Sequence, residues 1–175
     1  MNKFTKAFKK DILPIIGLIS FLSLFRLMPH PMNFTPILAV GIFSGFYFKN
    51  FFLSSFIIIF AMFIGDLYLG LHSTMIFVYV SLMITVLLGL FIKKFKSKEI
   101  LLTGLLGSIS FFLITNFGAW ISLPIYEKSF AGLLQAYVLA IPFFQNTLIS
   151  TILYLFIIKL IFNFFVEKKI NKFSF

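Results

Sequence analysis

Arg26, Asp66, Asn116 and the pair Gln145-Asn146 invite chemistry because each interrupts a long apolar run. A guanidinium and a carboxylate hold each other or a charged ligand, and carboxamides read polar edges. Asn33, His30, His72 and Trp120 stand between the runs or at their ends. Asn116 and Trp120 are four apart, so they share one helix face. On such a face an indole can stack on a ring while the amide bonds its polar edge. Complete catalytic sets are missing. There is no Cys, and neither of the two His lies inside an apolar run. No phosphate-binding Gly-rich loop and no His-Glu metal motif occurs. Ser44-Gly45 faintly resembles an intramembrane serine protease, but no His lies in a run to activate the serine. Asp66 is the single Asp inside a run, where a paired-aspartate protease needs two. The reading is a non-enzyme with no metal and no cofactor.

The elements that must position these residues follow from composition. Of 175 residues, 61% are hydrophobic and 11% charged, under half the charged share of a soluble domain. That excludes a soluble globular domain, a disordered chain and a collagen-like chain. Repeated apolar runs predict an all-α polytopic membrane protein. Phe occupies 28 positions, so an isolated Phe carries no functional weight. The net charge of +10 reads as membrane topology rather than nucleic-acid binding, since the basic residues sit between the runs.

Six transmembrane helices are expected, at about 12–28, 35–48, 51–71, 74–92, 99–120 and 141–166, in a single domain, 1–175. Basic Met1–Lys10 followed by an apolar run resembles a secretory signal, but no small-x-small site follows, so a retained helix is predicted. The apolar run Ile37–Phe48 spans only about 18 Å. It therefore includes its Asn33-Phe34-Thr35 approach or is sheltered by neighbours. Lys49-Asn50 predicts a tight turn. Residues 121–139 predict an external loop with a short surface helix over Ser129–Leu139. Thirteen of the fifteen basic residues fall on one side of this arrangement, leaving Arg26 and Lys128 opposite. Both termini are thus expected in the cytoplasm.

This topology compares depths. Arg26, Asp66 and Asn116 lie about 21, 22 and 24 Å from the inner ends of their helices. Gln145 and Asn146 open the last helix from outside. Polar groups in hydrocarbon face an interior, a cavity or a partner. Their convergence at one depth predicts an outward-facing pocket. The apolar inner halves argue against a self-contained channel or proton-coupled carrier. Plainer roles stand beside these. Arg26 and Asp66 pair and fix two helices; Asn116 bonds a neighbouring helix; Trp120 and Tyr126 belong to an interfacial belt. Gly41 and Gly45 form a GxxxG, which serves internal packing or docking to a partner subunit.

The stretches Arg26-Leu27-Met28-Pro29-His30-Pro31-Met32-Asn33-Phe34-Thr35-Pro36, Gly65-Asp66-Leu67-Tyr68-Leu69-Gly70, Thr115-Asn116-Phe117-Gly118-Ala119-Trp120 and Ile141-Pro142-Phe143-Phe144-Gln145-Asn146-Thr147 resemble a group of uncharacterised bacterial six-span proteins. That group is similar to the S components of energy-coupling factor (ECF) transporters, small membrane proteins that capture vitamins. The resemblance implies residence in the bacterial cytoplasmic membrane, a multi-pass ECF S-component-like fold, and capture of a vitamin-like small molecule. Arg26, Asn33, Asp66, His72, Asn116, Trp120, Gln145 and Asn146 would line or brace the pocket. It also implies docking on a coupling subunit with ATPases, or solitary action. Gly17, Ser20 and Ser23 lack the Ala-x-x-x-Ala spacing of the docking S components. The rival expectations are a structural or regulatory membrane subunit without ligand, and a lipid-modifying membrane enzyme.

Overall fold

The computed structural model of the chain describes residues 12–171. Lys3, Lys6, Lys9, Lys10 and Lys172, which helped to place both termini, lie outside the described residues. Among the described residues there are seven helices and no strand. They are α1 (Ile12–Leu27), α2 (Ile37–Phe48), α3 (Phe51–Leu69), α4 (Met75–Phe91), α5 (Ser97–Ser122), α6 (Phe130–Leu139) and α7 (Ile141–Asn171).

Local chemistry explains the ends. α1 stops ahead of Pro29 and Pro31, which cannot continue it. α2 begins after Pro36, whose carbonyl accepts the Val40 N–H at 2.9 Å. It ends on Lys49, a non-Gly residue at φ 49°, whose N–H bonds the Gly45 carbonyl at 3.2 Å. Lys49 Nζ donates to the carbonyls of Leu90 and Ile92, tying this turn to the end of α4. Asn50 then caps α3, its side chain accepting the Leu53 N–H at 3.1 Å. The α2–α3 connection is therefore two residues long, and the helices pack against each other.

α2 sits at the centre, in contact with α3, α4, α5 and α7. It has 12 residues, and Ile37 through Ile42 are all buried. Of the two expectations for this short run, shelter by neighbours is the one observed. The close contact is with α4. A Cβ on Gly41 would stand 2.2 Å from Thr85 Oγ1, and one on Gly45 2.2 Å from the Val86 carbonyl oxygen. From the other side, a Cβ on Gly89 would stand 1.9 Å from the Ile42 carbonyl oxygen. Three glycines thus bring two backbones into contact. Of the two roles expected for Gly41 and Gly45, internal packing is the one this contact serves, since α4 of the same chain covers both positions.

Among the described residues three helices are long and apolar enough to cross a membrane: Phe51–Leu69, Ser97–Ser122 and the Ile141–Phe164 part of α7. The helices in the other three expected spans have 16, 12 and 17 residues. Residues 121–139 are more helical than a loop, since α5 runs to Ser122 and α6 starts at Phe130. Ser129 caps α6 by accepting the Gly132 N–H.

Polarity is distributed as a membrane demands. Ser44, Ser54, Ser81, Thr85, Ser108 and Thr151 are fully buried, while Leu13, Phe52, Phe91 and Phe130 are more than three-quarters exposed. In water that arrangement would be costly. Facing hydrocarbon, apolar side chains outside and small hydroxyls inside are favourable. Ser44, Ser81 and Thr85 return a bond to their own helix and Ser54 donates to the Ser44 carbonyl of the neighbouring one, whereas Ser108 Oγ and Thr151 Oγ1 are buried with no hydrogen-bond partner.

Candidate binding site

α1 and α3 are fastened along one seam. Ser23 Oγ donates to the Ala61 carbonyl at 3.3 Å. One turn further along α1, Arg26 Nη1 meets Met62 Sδ at 2.6 Å and Nη2 meets Asp66 Oδ1 at 2.6 Å. The other carboxylate oxygen, Oδ2, accepts the Tyr79 hydroxyl from α4 at 2.6 Å. The Asp66 side chain is 1% exposed and that of Arg26 17%. Three helices therefore meet at one carboxylate.

Sequence reasoning missed Tyr79 and Met62. Met62 was legible, because it lies four residues before Asp66 on the same face. Tyr79 is the single Tyr of the fourth apolar run, but nothing in one sequence aims its hydroxyl at α3. Gly65 has a part as well: a Cβ there would lie 2.7 Å from Arg26 Nε. The glycine preceding Asp66 makes room for the guanidinium that Asp66 holds.

Arg26 opens onto a cavity of about 310 Å³ at this end of the bundle. His30, Asn33, Thr35, His72 and Thr147 add polar groups, and Leu38, Leu82 and Phe111 an apolar floor. The loop from α1 to α2 supplies three of these residues because its prolines keep it off the helical path. Asn33 takes φ 60° there, a left-handed geometry that Asn tolerates better than most residues. His30 Nδ1 lies 3.0 Å from the Pro31 carbonyl, and His72 Nδ1 lies 2.8 Å from Thr74 Oγ1.

Of the eight residues expected at the pocket, Arg26, Asn33 and His72 line this cavity and Asp66 holds Arg26 from behind. Asn116 lies in an adjoining space of about 50 Å³, which shares Asn33, Phe111 and Thr147 with the first. Its Nδ2 donates to the Phe112 carbonyl of its own helix at 2.8 Å. Asn146 lines neither space; its Nδ2 donates to the Met32 carbonyl at 3.0 Å, pinning the α1–α2 loop to α7. Gln145 is exposed.

Trp120 also stands outside both spaces. Its Nε1 donates to the Glu127 carbonyl at 2.9 Å, and its ring packs tilted on Phe117 at 5.6 Å between centroids. Lys128 Nζ returns bonds to the carbonyls of Trp120 and Leu123. The indole thus closes the α5–α6 turn and does not border this cavity. The helix face shared by Asn116 and Trp120 does not open onto a common space.

The charge balance fixes what the cavity can recognise. Both Asp66 oxygens are occupied, by Arg26 and Tyr79. Arg26 has five N–H donors, and two are bonded within the described residues. A guanidinium, two imidazoles, an amide and hydroxyls therefore face the space with no free carboxylate among its lining residues. Such a site favours acceptor-rich or anionic groups. Among the described residues, no three His, Asp or Glu side chains gather as metal ligands.

The described residues are all-helical, with three long apolar helices that point to a membrane and a cavity of mixed polarity at one end. More narrowly, the chain belongs to a family of unknown function (DUF6580), which matches residues 6–173. No curated protein and no solved structure gives a significant match.

Proposed function

We propose that the chain is a substrate-capture protein of the bacterial cytoplasmic membrane, of S-component type, with six spans and both termini in the cytoplasm. It takes up a small, vitamin-like organic nutrient bearing an anionic or acceptor-rich group. The observation that carries this reading is the Arg26 cavity: about 310 Å³, within the size range of small-molecule sites. Six polar side chains line it among seven apolar ones, and their central cation is held in place by a buried carboxylate. Arg26 binds the anionic group; His30, Asn33, Thr35 and His72 read the remaining polar edges. Asp66 and Tyr79 act through Arg26 and are positioning residues. Partners are the nutrient and membrane lipid, with a coupling subunit and ATPases or none. The three shorter helices, of 16, 12 and 17 residues, fall short of a full hydrocarbon thickness, a mismatch that local thinning of the bilayer and shelter by neighbouring helices accommodate.

The test is mass spectrometry of small molecules released from purified protein, with Arg26→Lys as the comparison. A stoichiometric compound lost in the variant supports the reading. A protein that arrives empty and whose melting temperature is unmoved by a panel of vitamins counts against it. The alternative, a structural subunit without ligand, draws support from the internal partners of Trp120 and Asn146. It predicts an empty cavity and co-purification of a protein partner.

A further inference from the structure

A second and larger space lies on the flank of the bundle, between α1, α2 and α7, with a volume of about 900 Å³. Its walls are aliphatic and aromatic, among them Leu18, Phe21, Val40, Phe43 and Ile158. Gly17 also lines it, and a Cβ there would meet no atom within 4 Å. The cleft is open at that level. It follows α2 from Pro36 to Phe48, about 18 Å of helix. At the far end Phe43 and Phe162 pack edge-on at 5.8 Å, and both contact Phe95.

At the near end the cleft adjoins the polar cavity. Phe25 lines the cleft and Arg26 the cavity; Pro36 lines the cleft, and Thr35 and Ile37 the cavity. α2 stands between them, with Ile37 and Leu38 on the cavity and Val40 and Phe43 on the cleft, and beyond its start a cluster of rings closes the gap. Phe25 lies on His30 with centroids 5.6 Å apart at 20°, and Tyr154 sets its edge on Phe25 at 5.7 Å. Phe25 and Tyr154 face the cleft, and His30 faces the cavity.

We infer that cavity and cleft form one site for a single-chain anionic amphiphile of the fatty-acid type. The carboxylate meets Arg26 and the chain lies along α2. This inference rests on the reading of the Arg26 cavity as a ligand site and narrows its substrate class. Charge complementarity identifies the head: the cavity offers donors and a guanidinium, with its one neighbouring carboxylate already bonded twice. The cleft identifies the tail: it is a single apolar channel whose surroundings in a membrane are acyl chains. A ligand entering sideways from the bilayer passes the Phe25–His30 stack.

The experiment uses the full chain in phosphatidylcholine nanodiscs and a myristate carrying a terminal diazirine. Unlabelled myristate should compete, and crosslinks should fall on cleft residues of α1, α2 and α7. Gly17→Trp fills open space without touching the core, so its melting temperature should hold while labelling drops about 10-fold. Arg26→Lys should weaken labelling by a similar factor, because an ammonium cannot pair bidentately with the carboxylate. Labelling that unlabelled myristate does not displace, or that Gly17→Trp leaves unchanged, is annular lipid and overturns the inference. A polar nutrient lost from Arg26→Lys but retained in Gly17→Trp overturns the amphiphile and leaves the cavity as a ligand site. Retention of neither compound class overturns both.

Discussion

The α-carbon of Gly65 borders the space that the Arg26 guanidinium fills: a Cβ there would lie 2.7 Å from Nε and 3.0 Å from Cδ. Arg26 is not free to retreat, because Nη2 is held by Asp66 one residue further along α3. Gly65→Ala should therefore disturb the ion pair as well as the packing, at about 1–3 kcal/mol for an overpacked site. The check is the melting temperature in detergent. Wild-type stability in this variant would mean that the guanidinium has a second resting place.

Asp66→Asn keeps the shape and removes the charge that balances Arg26. A buried pair stripped of one partner costs about 3–5 kcal/mol. The double variant Arg26→Met, Asp66→Leu should recover much of that loss, since apolar replacement of a buried pair is often neutral. Unfolding of four proteins, the wild type, Arg26→Met, Asp66→Leu and the double variant, gives the coupling energy. Additive losses would show that the two residues do not depend on each other.

Tyr79→Phe deletes one hydroxyl and leaves Asp66 Oδ2 without its donor. The expected loss is about 1–3 kcal/mol. Ligand affinity should fall less than in Arg26→Lys, because Tyr79 acts through Asp66 rather than at the cavity. Equal losses of affinity in the two variants would place the phenol in contact with ligand.

Gly45→Ala and Gly89→Ala test where the small residues act. Both would drive a Cβ into a backbone carbonyl of the facing helix, at 2.2 Å and 1.9 Å before relaxation. The purified chain alone should lose monodispersity on size exclusion. Normal behaviour of the isolated variants, with loss only of an associated protein, would return the motif to partner docking.

The absence of Cys from the sequence makes topology directly testable. Single variants Lys94→Cys and Lys128→Cys, at exposed positions, should react oppositely with a membrane-impermeant maleimide. Lys128→Cys should label in intact cells, and Lys94→Cys only after permeabilisation. The reverse pattern would turn the cavity toward the cytoplasm.

The sequence by itself determined the all-helical class and its punctuation. Apolar runs with helical length bounded by Pro29, Pro36, Lys49-Asn50 and Gly70 left few other choices, and helices occupy those runs. These are local properties, set by propensity, capping and the need to satisfy backbone groups within each segment. Arg26 and Asp66 were legible as partners for the same reason: a charge in an apolar run needs compensation, and both stood at similar depth. The tertiary structure decided the rest, because which face of a helix meets which neighbour depends on rotation and packing that spacing alone leaves open. It turned Tyr79 toward Asp66 and set Gly45 on α4. It also tied Trp120 to Glu127, away from the cavity that its shared face with Asn116 had suggested. The flank cleft was illegible in principle: it is a gap between α1, α2 and α7, and a gap has no residues of its own.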